Sequence, residues 1–205
     1  MARLPQAQRL LVWLAAPLAL ALASCVIIDK NDDDDDVGDG QTPGPAPTSS
    51  PTSTPTSTPT SPSPTASPEG PAGEVFTLVN QARAQARSCG NKSFKAVPPL
   101  RWSDRLARAA QAHSEDMASR DYFDHVTPEG KDMSARVGAE GYTFSALGEN
   151  IAAGQRSAAE ALDSWLKSPG HCENIMSSAF QEIGVGRAEG GSFRVYWTQN
   201  FGAPR

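Results

Sequence analysis

From Glu74 onward the apolar residues follow two different periods, and these periods predict the elements. Between Glu74 and Arg87, the residues Val75, Leu78, Val79, Ala82 and Ala86 recur every three or four positions and predict a helix. Ser103-Asp104 is a helix start, since Ser caps an N-terminus and Asp suits the first turn. That helix should run to about Arg120 and bury Leu106, Ala109, Ala110, His113 and Met117. A short helix is expected near Met133–Val137. Ser157-Ala-Ala-Glu160 reads as a capping box for a helix carrying Leu162, Trp165 and Leu166 and stopping at Pro169-Gly170. The period then drops to two. Ile183–Arg187 and Phe193–Phe201 alternate around Glu189-Gly-Gly191, a hairpin signal. A further short strand falls at Thr143–Ala146 or at Asn150–Ala152. Helices flanking a small, mostly antiparallel sheet make an α+β domain over residues 74–205, long enough for one core.

Before residue 74 no such period holds. Residues 1–24 read as a targeting segment, with Arg3 and Arg9 ahead of an apolar run from Leu10 to Ala23. That run is about 14 residues, short for a membrane span and suited to a signal peptide. It ends in Leu22-Ala-Ser-Cys25, which resembles the bacterial lipobox; the resemblance implies cleavage before Cys25 and diacylation of its thiol. Such a protein would be held on the extracytoplasmic face of a bacterial membrane, at the cell surface or in the periplasm. The segment 25–73 continues through an acidic block, Asp32 to Asp36, into Pro51-Thr-Ser-Thr54 and Pro55-Thr-Ser-Thr58 repeats. Chain of this composition cannot bury enough apolar surface to offset its entropy, so a disordered tether is expected.

Charge separates the same two parts. The formal net charge is −5; residues 1–73 hold 3 of the 18 basic and 8 of the 23 acidic residues, leaving 15 of each in the domain. A neutral domain without a basic face excludes nucleic acid as the expected partner. With Cys25 lipidated, Cys89 and Cys172 form an even pair in an exported chain. Either they form a disulfide or they are two free buried thiols.

Candidate chemistry lies in three short motifs, Tyr122-Phe-Asp-His125, Gly148-Glu-Asn150-Ile and Ser168-Pro-Gly-His171. Two imidazoles and a carboxylate suit a divalent metal with open positions. His113 lies on the apolar helical stripe and reads as a hydrogen-bonded core histidine, whereas His125 precedes a Val-Thr-Pro-Glu-Gly turn and reads as an exposed loop imidazole. These motifs stand in order with Val79-Asn-Gln-Ala-Arg83, Leu100-Arg-Trp102, Ala112-His-Ser-Glu-Asp-Met117, Ile183-Gly-Val-Gly186 and Tyr196-Trp-Thr-Gln-Asn-Phe201. Together they resemble the CAP superfamily (cysteine-rich secretory proteins, antigen 5 and pathogenesis-related 1 proteins, or SCP domains) in its bacterial form. The resemblance implies a three-layer α-β-α sandwich and a cleft in which His125, Glu149 and His171 bind zinc or another divalent ion. It places Asn150 and Ser168 beside that cleft. Animal and plant members carry a second glutamate where this chain has Ser168, and its loss weakens the case for acid and base catalysis. Family members bind sterols, lipids or protein partners, so a monomeric, membrane-tethered binding or signalling module is expected. A metal-dependent hydrolase of envelope, peptide or nucleic-acid substrates is the alternative.

Overall fold

The computed structural model describes residues 68–205 and, for the backbone alone, Cys25–Asp29. The elements in chain order are β1 (Cys25–Asp29), α1 (Gly70–Arg83), β2 (Arg87–Cys89), β3 (Lys92–Phe94), β4 (Arg101–Trp102) and α2 (Asp104–Arg120). They continue with α3 (Met133–Ala139), β5 (Phe144–Ala153), α4 (Ala158–Lys167), α5 (Pro169–Met176), β6 (Glu182–Gly190) and β7 (Arg194–Pro204). Ser103 caps α2 by accepting from the Leu106 amide, and Ser157 caps α4 by accepting from the Glu160 amide. The Glu160 carboxylate accepts from the Arg156 amide, one residue before the cap.

One five-stranded sheet runs β1-β5-β7-β6-β4. All its pairs are antiparallel except β4 with β6. Helices cover both faces, so the fold is the expected α-β-α sandwich. On one side Val75, Val79 and Trp165 of α1 and α4 and Ile175 of α5 pack on Ile183, Val185, Trp197 and Phe201. On the other, Leu106 and Ala109 of α2 and Met133 and Val137 of α3 meet Leu147, while Met117 meets Ile151 and Tyr196. Helix α2 lies very close to β6 because Gly184 and Gly186 face it. A Cβ on Gly184 would stand 2.0 Å from the Ala107 nitrogen, and one on Gly186 would stand 2.3 Å from that of Gln111.

Several boundaries differ from the expectations above. Helix α1 begins at Gly70 and ends at Arg83, because the buried Arg83 side chain turns inward and the chain reverses into the β2–β3 hairpin. Pro169 ends α4 but opens α5, having no amide to lose at a first helical turn. The two short strand candidates are parts of β5, a ten-residue strand. The backbone of Cys25–Asp29 pairs with Ala146–Asn150, where a tether was expected from Cys25 onward. The leader (1–24) and the stretch 30–67 of the tether lie outside the described residues. Cys89 and Cys172 form a disulfide with Cα atoms 5.4 Å apart, tying β2 to α5.

Candidate functional site

Successive residues of a strand point to opposite faces, and β5 uses this to separate Glu149 from Asn150. The Glu149 side chain turns toward α2 and α3 and is fully buried. His125 Nδ1 donates to its Oε1 at 2.7 Å, and a guanidinium nitrogen of Arg136 donates to its Oε2 at 2.6 Å. Arg136 also donates to the backbone oxygens of His125 (2.7 Å) and Lys131 (3.1 Å), which holds the loop between α2 and α3 against the carboxylate. With its nitrogen turned toward Glu149, the Asn200 amide donates to Oε2 at 2.9 Å. Burial works to raise the Glu149 carboxyl. The His125 hydrogen bond and the Arg136 charge outweigh it and hold the group below its ordinary value, so it is ionised.

His113 stands beside this network. Its Nε2 lies 3.0 Å from the Asp124 backbone oxygen and donates to it. Burial lowers its pKa to about 4, so the ring is neutral near pH 7. Tyr122 donates to Asp116 at 2.6 Å. Above these groups opens a cleft of about 630 Å³. Ala109 and Ala112 of α2 and Ala135 and Ala139 of α3 line it, its rim carries Asp116, Glu129 and Glu140 with Arg120 and Lys131, and the buried Arg136 borders it from within. Arg120 pairs with both Asp116 and Glu129.

The expected ligand residues do not assemble as a set. His125 and Glu149 meet, though His125 is buried where an exposed imidazole was expected, because Arg136 draws its backbone inward. His171 belongs to α5, in the layer on the other side of the sheet. Its backbone oxygen accepts from the Asn150 amide at 3.2 Å, and Asn150 also meets Asn174 (2.9 Å) and Gln199 (3.0 Å). Asn150 is therefore buried polar structure behind the cleft, and Ser168 is the junction of α4 and α5. Among the described residues no group of three or more His, Cys, Asp or Glu is placed to hold a metal. Both Glu149 oxygens are already engaged, one by a cation. These donors do not fit a three-ligand divalent site. Arg136 is the functional residue that motif reading missed. Its only signal is its place beside Met133 and Val137 on the buried face of α3.

The fold is thus an α-β-α sandwich with a polar network beneath an open groove on one face. Residues 76–201 match the family described as CAP, the cysteine-rich secretory protein family, and the chain belongs to it. It is 37% identical over 107 residues to the uncharacterized protein YkwD of Bacillus subtilis strain 168, covering 52% of this chain and 40% of that one. With the uncharacterized membrane protein YlbC of the same strain it is 35% identical over 102 residues, covering 50% of this chain and 28% of that one. The chain thus matches less than half the length of either relative. Among solved structures, an extracellular SCP-domain protein from Bacillus anthracis aligns at TM-score 0.54 and 32% identity, over 63% of this chain and 39% of that one. An outer surface protein of Borrelia burgdorferi, at 16% identity, shares the fold (TM-score 0.53), over 64% of this chain and 90% of that one.

Proposed function

We propose that this is an exported, membrane-tethered binding module whose α2–α3 cleft holds an amphipathic small molecule such as a single-chain lipid. One observation carries the reading. The cleft has an apolar wall of alanines below a rim of both charges, over a carboxylate whose two oxygens are already satisfied. Apolar wall and charged rim match an apolar body with a zwitterionic head. Arg136 pairs with Glu149, and the neutral His113 ring donates through Nε2 to Asp124, an arrangement that favours a binding role over a catalytic one. The extracellular description of the Bacillus anthracis relative supports export, and the lipobox at Cys25 supports the anchor.

The full chain should bind lysophosphatidylcholine, titrated below its micelle concentration, with a single saturable heat. Ala112 and Ala135 are exposed positions on the two walls, so Ala135→Trp fills the cleft without entering the core. That variant should lose binding at least tenfold. Unchanged binding in Ala135→Trp removes the cleft from the function. Mass spectrometry of the same mixture tests the alternative: cleavage of the probe that disappears in Glu149→Gln would make the protein a hydrolase. Replacing Cys25 by Ser should move the protein from the membrane fraction to the medium or periplasm.

A further inference from the structure

We infer that the domain has a second binding site, for a phosphate-bearing anion, in a groove at the β6–β7 hairpin. This groove, about 570 Å³, lies at the hairpin end of the sheet and is lined by Arg156, Arg187 and Arg194 together with Glu189 and Phe193. Its volume falls within the range of small-molecule sites. Three guanidinium groups against one carboxylate leave a formal excess of two positive charges, on a domain whose 15 basic and 15 acidic residues cancel as a whole.

The pairing within the groove is what marks it as a site. Elsewhere arginines such as Arg101 and Arg108 meet carboxylates directly. Among the described residues neither Arg156 nor Arg194 has an ion-pair partner, although Arg187 takes Glu189 at 2.7 Å. Arg187 is further fixed with its guanidinium 5.4 Å from the centre of the Trp197 ring, and its Nε is buried with no hydrogen-bond partner. Arg187 is thereby held in place on the wall of the groove. Arg194 is a second independent sign. Its φ is +68°, a backbone conformation that favours glycine or asparagine, yet the chain places arginine there.

Planar, always-charged guanidinium groups suit phosphate oxygens, which they bind through paired N–H donors. Three of them accommodate two phosphate groups. Phe193, 36% exposed at the rim and braced against Phe123 and Tyr196, offers an apolar face to whatever links those groups. The same chemistry is presented by a free phosphate ester and by a phosphodiester chain.

Calorimetry on the full chain, with pyrophosphate and with a tetrameric glycerol phosphate oligomer as probes, tests this. Both should bind saturably and more weakly as salt rises. Arg156→Gln and Arg194→Asn, the second chosen because Asn tolerates the left-handed backbone, should each weaken binding about tenfold. Arg101→Gln, outside the groove, should stay within twofold. Tighter binding of pyrophosphate assigns free esters as the ligand, and tighter binding of the oligomer assigns a phosphodiester chain. The inference is overturned if both groove variants bind as the parent does, if Arg101→Gln loses as much, or if the probes act as an adventitious ion only, without saturation.

Discussion

Glu149 holds together the network beneath the cleft, because a fully buried carboxylate must be paired to stay ionised. Its substitution by Gln keeps the shape but leaves Arg136 buried without a counter-charge. We expect Glu149→Gln to cost about 3–5 kcal/mol in urea unfolding. A loss below about 1 kcal/mol would mean that the pair is solvated. Acid should act through two neighbouring groups. The His113 pKa falls from its ordinary 6.5 to about 4 through burial, so between those values protons bind the unfolded chain first. Stability is therefore complete above pH 6.5 and declines toward pH 4, by about 3 kcal/mol from His113. Glu149, held below its ordinary 4.5, adds a further loss as pH falls below that value. Thermal melts from pH 8 to 4 should show the first decline in the parent and lack it in His113→Gln. A parent melting temperature flat from pH 7 to 4.5 would contradict the burial of the ring. Which side chains meet at Glu149 was half legible in the motifs. The family resemblance placed His125 and Glu149 in one cleft, but nothing in the spacing of His171 said that its helix would pack on the far side of the sheet.

At the scale of elements, α2 and α4 were readable from their periods because each turns one face to a core, and β6 and β7 from the glycine turn between them. Strand β5 was not: like β7 it is an interior strand buried on both faces, but no hairpin turn signal marks it and its residues do not alternate between apolar and polar. Its polar pair, Glu149 and Asn150, reads as an interruption in sequence and is a buried hydrogen-bonding centre in the fold. The contact of α2 with β6 depends on glycine and makes a sharp prediction. Gly184→Ala places a methyl group against the backbone of Leu106 and Ala107, which cannot yield as a flexible side chain would. The helix must lift, and overpacking of this kind costs about 1–3 kcal/mol. Asn200, with its nitrogen toward Glu149, accepts from the Ala110 amide of the same helix. Lifting α2 therefore disturbs the network under the cleft, and the variant should also weaken lysophosphatidylcholine binding. Unfolding in urea reads the first effect and calorimetry the second. A variant as stable as the parent would show that the layers are not held at that spacing.

The whole molecule is three layers whose outer helices reach the sheet by different means. Helix α2 is seated by long apolar contacts on β6 and β7. The opposite layer is assembled from short pieces, and one hydrogen-bonded and one covalent tie close it. Arg83, fully buried at the end of α1, donates to the oxygens of Pro98, Ile175 and Ser177, joining α1 to the end of α5. The Cys89–Cys172 bond joins the β2–β3 hairpin to the start of α5 across 83 residues. The pair of cysteines left beyond Cys25 made this bond foreseeable. Its purpose was not, because the hairpin and α5 were not visible in the hydrophobic pattern. Cross-linking at that separation removes unfolded-chain entropy equivalent to about 4 kcal/mol at 25 °C. With a urea slope of about 2 kcal/mol per molar, reduction should lower the unfolding midpoint by about 2 M. The Cys89→Ser, Cys172→Ser double variant should match the reduced parent. The Glu149 network lies across the sheet from the bond, so lysophosphatidylcholine affinity measured well below the new midpoint should be unchanged. A midpoint that does not move would show that noncovalent packing alone holds α5 in place. Binding lost together with the bond would show that the layer behind the sheet sets the geometry of the cleft in front of it.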